Sequence, residues 1–356
     1  VAVGLFTPLA AATGVYVIAA LAGGWPASFA RLFGGGLHPT EAYEHVYRLG
    51  GLIPDESRRH TLVMLLPLLP ALLLLVARRD AERFRVVWRA LPWSRLLFYA
   101  GMVPAGAYLG SLVCRGFLPV GFPSPVDQVA VIALTSSMVA AFLAALFWND
   151  LHDRDADAVN APQRPVAGGL LTPASAARAA VTCAGIAFFL ALCVSYPAAL
   201  LVLAVLLLAW AYSAPPLRLK RFPGVATATL GLLALTAMTT GFSLFTREAA
   251  PWAFPPRVAL ALFTGVTLGF TAKDLKDRDG DRRTGTITLA TLLPPPWNRR
   301  VTAGLVAVSF LLAPIFLPLG PVFFVLAIAA AAGGAVWTIR APRPDSALLV
   351  GFCAFA

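Results

Sequence analysis

Charge is scarce in this chain. Only 13% of its 356 residues are Asp, Glu, Lys or Arg, against about a quarter in soluble domains. That deficit excludes an ordinary water-soluble fold. The 59% share of hydrophobic residues and the mean hydropathy of +0.77 point to a polytopic membrane protein. Cysteine is equally sparse. Cys114, Cys183, Cys193 and Cys353 are scattered without metal-ligand spacing, so they read as small apolar packing residues. Acidic residues number 17 against 28 basic ones, for a formal net charge of +11. The basic excess sits in short loops between apolar runs, where membrane topology accounts for it. Nucleic-acid binding is rejected, because it would want a basic face on a soluble fold. No basic n-region marks a cleavable signal peptide. Val1 and Ala356 both lie in apolar runs, the pattern of a chain cut at one or both ends.

What is abundant is apolar length. Two early runs, at about 1–23 and 61–77, are long enough to span or nearly span a bilayer. The polar stretch between them carries His38, Glu41 and His45, which read as one turn of an interfacial helix rather than as metal ligands. A basic segment from Arg78 to Arg95 follows, a cytoplasmic-side loop or a helix lying on anionic lipid. From Leu96 the runs become regular, at about 96–114, 126–148, 178–195, 197–212, 225–246, 257–272, 301–317 and 320–338, with a short one at 345–356. The expected fold is therefore all-α and integral to the membrane. About nine helices form a bundle over residues 91–356, and an N-terminal extension over 1–90 adds two more. Loops on the side of the basic segment carry fourteen Lys or Arg residues, and the opposite loops carry Arg115, Arg247 and Arg257. The positive-inside rule places the first set in the cytoplasm.

Two of those cytoplasmic loops open on nearly the same words. The first reads DLHDRDAD from Asp150 and the second DLKDRDGD from Asp274, with six of eight positions identical. Each follows an apolar run directly. In each, three aspartates fall at i, i+3 and i+7: Asp150, Asp153 and Asp157, then Asp274, Asp277 and Asp281. On a helix that spacing puts all three on one face. Carboxylates so close repel and call for positive charge, most simply a divalent cation. Asp155 and Asp279 fall off the face, as outer-shell or salt-bridge partners of Arg154 and Arg278. Either copy alone reads equally well as a solvated acidic loop. Two copies on one side of the membrane, each at a helix end, favour a site.

Such clusters suit Mg²⁺, which takes few carboxylates and completes its shell with water and substrate phosphates. Facing clusters would clamp a diphosphate and make it a good leaving group; if the other end of that substrate is a long isoprenoid, an intramembrane cavity is the natural place to hold it. Arg164, in Asn160-Ala161-Pro162-Gln163-Arg164-Pro165, could grip phosphate oxygens bidentately. The element from Tyr212 to Lys220 offers Tyr212, Ser213, Arg218 and Lys220 on the same face; the alternative is a proline-broken helix end with snorkelling basic residues.

Together these residues resemble the UbiA family of intramembrane prenyltransferases. The first family motif is matched by Asn149, Asp150, Asp153 and Asp157, followed by Asn160 and Arg164-Pro165. The second is matched by Asp274, Asp277 and Asp281, preceded by Lys273 and followed by Gly285 and Thr288-Leu289. Between them Tyr212, Ser213, Pro216, Arg218 and Lys220 match a third element. The resemblance covers about residues 90–356. It implies nine membrane helices around a central cavity, Mg²⁺ at the two aspartate motifs and a prenyl diphosphate donor. It also implies a hydrophobic or aromatic acceptor, often aromatic, in some branches a lipid. On that reading the six aspartates are catalytic metal ligands and Asn149 orients the first cluster. Arg164, Tyr212, Ser213, Arg218 and Lys220, with Asn160 and Lys273, bind the diphosphate. The expected setting is a bacterial or archaeal cell membrane. One alternative is a membrane terpene cyclase, which ionises the same donor without an acceptor. Another is a transporter or a non-catalytic scaffold, although transporters place ionisable groups near mid-membrane.

Overall fold

The computed structural model describes residues 56–115, 125–245, 253–283, 285 and 287–341. The runs expected at 1–23 and 345–356, and the stretch with His38, Glu41 and His45, lie outside them. Among the described residues every regular element is helical. Nine helices of the described residues are long and apolar enough to cross a membrane. They coincide with the run at 61–77 and with the eight runs from Leu96 to 338. The protein is thus an all-α, multi-pass membrane protein, as its composition required.

In chain order the helices are α1 (Glu56–Arg79), α2 (Ala81–Ala90), α3 (Trp93–Arg115), α4 (Pro125–His152) and α5 (Arg154–Asn160). Next come α6 (Pro173–Val194), α7 (Tyr196–Ser213), α8 (Val225–Phe242) and α9 (Pro256–Gly269). The last are α10 (Lys273–Arg283), α11 (Leu289–Leu292), α12 (Trp297–Phe316) and α13 (Pro321–Arg340). Where a cap is present it sets the helix start more closely than the apolar run does. Thr172 caps α6 by accepting from the Ser175 N–H, with Pro173 in the first turn, so the helix starts five residues ahead of the run expected at 178.

The chain divides into two compact units. Of the described residues, one unit takes those of 56–219 and 233–254, the other those of 220–232 and 255–341. In the first, α4 packs against α3, α6 and α7, and α1 lies along α4 and α6. Small residues make the main contact. Ala130, Ala133, Ala141 and Ala144 of α4, and Ala176, Ala180, Ala187 and Ala191 of α6, are all buried. The Ser137 hydroxyl donates to the Ala187 carbonyl at 2.6 Å. Lipid is as apolar as leucine, so helices associate through close approach and satisfied polar groups instead. The crossing of α3 with the second half of α8 shows this best. A Cβ on Gly106 would sit 1.8 Å from the Met238 carbonyl oxygen, and one on Gly241 1.8 Å from that of Val103. Only glycine fits there. Helix α1 is different: it buries Leu62, stacks Arg58 over the Tyr196 ring at 4.6 Å, and leaves Met64, Leu68 and Leu72 exposed.

In the second unit α12 packs on α13 and α9. Ala272, Val306, Phe310 and Ala331 form its buried core. Helix α9, a 3₁₀ turn at Phe270–Ala272 and α10 run on as one 28-residue rod from Pro256 to Arg283. Many hydroxyls within the bundles return to carbonyls of their own helices, as Thr239 does to Leu235, which satisfies those donors in the apolar interior.

Candidate active site

Helix α4 has 28 residues. At 1.5 Å per residue it is about 42 Å long, more than the roughly 30 Å of bilayer hydrocarbon. Its last turn carries Asn149 and Asp150. The helix stops at His152, Asp153 takes φ −109° and ψ 11°, and α5 starts at Arg154. The aspartates at i, i+3 and i+7 therefore do not share one uninterrupted helix as the spacing suggests. The i to i−4 hydrogen bonds nevertheless continue across the break: Asp153 N–H donates to the Asn149 carbonyl at 2.9 Å, and Asp157 N–H to that of Asp153 at 2.7 Å. The inward face survives. Asp150 and Asp157 are buried, Asp153 is half-buried, and Arg154 and Asp155 are exposed.

Two later segments return to these carboxylates. The turn after α5 delivers Arg164, whose Nη1 contacts Asp150 Oδ1 and lies 3.2 Å from Asp157 Oδ2. The segment after α7 delivers Arg218, whose Nη2 lies 3.2 Å from Asp153 Oδ1 and donates to the His152 carbonyl at 3.4 Å. Arg218 holds φ at 40°, the left-handed region that costs a side-chain-bearing residue strain. Ser213, the last residue of α7 and almost wholly buried, donates to Asn149 Oδ1 at 3.0 Å. Asn149, Asp150, Asp153, Asp157, Arg164, Ser213 and Arg218 are thus one connected group, assembled from three stretches of sequence. Tyr212 and Lys220 are half-buried on the same stretch as Ser213 and Arg218, Lys220 on a 3₁₀ turn at Leu219–Arg221. The side chain of Asn160 lies outside the described residues.

The second motif sits wholly on α10, immediately after the 3₁₀ turn. Asp274, Asp277 and Asp281 are half-buried, whereas Lys276, Asp279, Arg282 and Arg283 are exposed. The i, i+3, i+7 face is turned inward here as in the first motif. Lys273 opens the helix, half-buried. Beyond it Gly285 takes φ +69°, and Thr288 and Thr291 form a reciprocal capping box for α11. The off-face aspartates behave differently from each other. Arg154 pairs with Asp155 at 3.4 Å, both exposed. No ion pair joins Arg278 to Asp279; the Arg278 Nε is buried without a hydrogen-bond partner. Arg278 stands one turn from Asp274 and three residues from Asp281. It therefore lies on the acidic side of the helix, which spacing on a wheel shows and adjacency in sequence hides.

Among the described residues no three His, Cys, Asp or Glu side chains form a group that could hold a metal unaided. The donor set still fits Mg²⁺. It is all oxygen, carboxylates with an amide, and Mg²⁺ takes one or two carboxylates and leaves the rest of its octahedron to water and phosphate. With guanidiniums among the same carboxylates, the first cluster offers both cation and anion chemistry at the end of a membrane helix.

The sequence pattern of the UbiA prenyltransferase family matches residues 111–350. A digeranylgeranylglyceryl phosphate synthase from Natronomonas pharaonis is 30% identical over 228 residues, covering 63% of this chain and 79% of that protein. Its namesake from Methanopyrus kandleri is 28% identical over 189 residues, covering 53% of this chain and 64% of that protein. A solved UbiA homolog from Archaeoglobus fulgidus bound to GPP and Mg²⁺ is similar in structure, with TM-score 0.56 at 18% identity over 77% of this chain and 99% of its own. An apo UbiA homolog from Aeropyrum pernix gives TM-score 0.55 at 18% identity, over 74% and 98%. At such identities the structural likeness speaks for the fold.

Proposed function

Because the chain belongs to the UbiA prenyltransferase family, we propose that it moves a prenyl group from a polyprenyl diphosphate to an acceptor held in the membrane, with Mg²⁺ as cofactor. The observation that carries this reading is the meeting of Asp150, Asp153 and Asp157 with Arg164 and Arg218 at the end of a membrane-length helix. A transporter would want such groups at mid-membrane. Bound Mg²⁺ supplies charge neutralisation that turns diphosphate into a good leaving group. The remaining work falls to side chains. Asp150, Asp153 and Asp157 hold the cation at the first motif, and Asp274, Asp277 and Asp281 do so at the second. Asn149, fixed by Ser213, orients the first set. Arg164, Arg218, Lys220, Lys273, Tyr212, Ser213 and Asn160 bind diphosphate oxygens, the arginines as planar two-pronged donors.

The acceptor reading follows the relatives' names. Both are named for a product that joins two geranylgeranyl groups to glyceryl phosphate. A glycerol-phosphate lipid is therefore the acceptor of choice, ahead of an aromatic one. The basic loops beside both motifs support a cytoplasmic orientation in a bacterial or archaeal cell membrane.

The test uses purified protein in detergent, Mg²⁺ and radiolabelled prenyl diphosphates of graded length. The acceptors are a prenylated glycerol phosphate, hydroxybenzoate, homogentisate, a naphthoate and a chlorophyllide. Diphosphate release that needs both Mg²⁺ and the glycerol-phosphate lipid is the expected result. Release with an aromatic acceptor alone would replace the lipid reading. Release without acceptor, giving a hydrocarbon, would make the protein a cyclase.

A further inference from the structure

The carboxylates of the first motif are not waiting empty-handed. Asp150 is 2% exposed and Asp157 9%. Two carboxylates this close and this buried repel strongly and need a counter-charge at all times, including before any substrate arrives. Arg164 supplies it, with one nitrogen, Nη1, against both. The guanidinium is delivered by a packed turn. Arg164 N–H donates to the Ala161 carbonyl, and Gly168 N–H donates back to the Arg164 carbonyl at 2.8 Å. Pro165 and Val166 are buried, and a Cβ on Gly168 would stand 2.9 Å from the Pro162 carbonyl oxygen. This turn holds its shape, so the arginine is aimed by the fold.

We propose that Arg164 is a built-in counter-cation of the first aspartate motif, standing where a divalent cation's charge will act and giving up Asp150 and Asp157 when that cation binds. The proposal rests on the metal–diphosphate reading above and deepens it. Cation alone must displace Arg164 and so binds weakly. When diphosphate is present the released guanidinium gains a new anionic partner, and displacement becomes favourable. Cation and diphosphate then strengthen each other's binding, because a coupling free energy is reciprocal. The exchange also explains how one arginine serves both as support for the aspartates and as a grip on the substrate.

The experiment measures Mn²⁺ binding by electron paramagnetic resonance on the full chain in detergent, with and without inorganic diphosphate, alongside melting temperature in EDTA. Without diphosphate, Arg164→Gln binds Mn²⁺ about tenfold or more tightly than wild type, because a competing positive charge is gone. Its metal-free form melts several degrees lower, and Mn²⁺ restores the loss. Arg164→Lys stays near wild type in both readouts. Diphosphate tightens Mn²⁺ binding more in wild type than in Arg164→Gln. Should Arg164→Gln prove too unstable alone, the pair Arg164→Gln with Asp157→Asn removes one of the two repelling charges and melts nearer wild type in EDTA. Equal Mn²⁺ affinity and equal metal dependence of melting in wild type and Arg164→Gln overturn the proposal while leaving the metal–diphosphate reading intact. Absence of Mn²⁺ binding from wild type and variants alike, even with diphosphate, overturns both.

Discussion

Arg218 offers a way to separate a side chain's work from its backbone's strain. Its φ of 40° is a left-handed conformation, which costs an L-residue with a Cβ about 1 kcal/mol or somewhat more. Its guanidinium returns part of that through Asp153, but the Arg218 side chain is 37% exposed. An ion pair that open to solvent contributes about 0–1 kcal/mol. Replacing Arg218 by Ala removes the pair and keeps the strain. Replacing it by Gly removes the pair and relieves the strain. Arg218→Gly is therefore expected to be more stable than Arg218→Ala by about 1 kcal/mol, or about 2 °C in melting temperature. It should stand close to wild type. Both substitutions remove a charged donor aimed at the site, so both lower prenyl transfer about tenfold or more. The assays are thermal melting of detergent-purified protein in EDTA and diphosphate release with Mg²⁺. Equal stability of the two variants would refute the strain argument. Full activity in either would refute the placing of Arg218 at the diphosphate.

Other outcomes follow from the same geometry. Asp150→Asn and Asp274→Asn should each abolish turnover while the protein stays folded and monodisperse in detergent; an active variant would sink the metal-clamp reading. Ser213→Ala removes one hydroxyl donor to Asn149, worth about 1 kcal/mol. Donor binding and turnover should weaken together, lowering kcat/KM about fivefold, as single-turnover and binding measurements would show. Gly241→Ala forces a Cβ to 1.8 Å from the Val103 carbonyl oxygen and should collapse expression and melting temperature. Gly185→Ala, with nothing within 4 Å of the new Cβ, should be neutral or slightly stabilising.

Much of this protein is written locally. A backbone in lipid must satisfy its own hydrogen bonds, so each long apolar run folds as a helix whatever its neighbours do. That is why the run expected at 126–148 and the helix Pro125–His152 agree so nearly. The i, i+3, i+7 aspartates are also local. On α10 one unbroken helix turns Asp274, Asp277 and Asp281 the same way. The break at Asp153 was not legible, because DLHDRDAD and DLKDRDGD differ too little to announce it. The turn of Arg278 away from its neighbour Asp279 follows from helical spacing, since adjacent residues on a helix point about 100° apart, although their adjacency in sequence hides it.

The sequence by itself determined the membrane class, the positions of the helices and the two acidic faces. Hydrophobic transfer and helical periodicity act over a few turns of chain. The tertiary structure alone decided which charges meet. Arg164 reaches Asp150 across fourteen residues, Ser213 reaches Asn149 across 64, and Arg218 reaches Asp153 across 65. The same holds for Gly106 and Gly241, whose lack of a side chain gains meaning only where two helices cross at contact distance. Such pairings depend on helices from distant parts of the chain packing side by side, and no local rule of sequence specifies them.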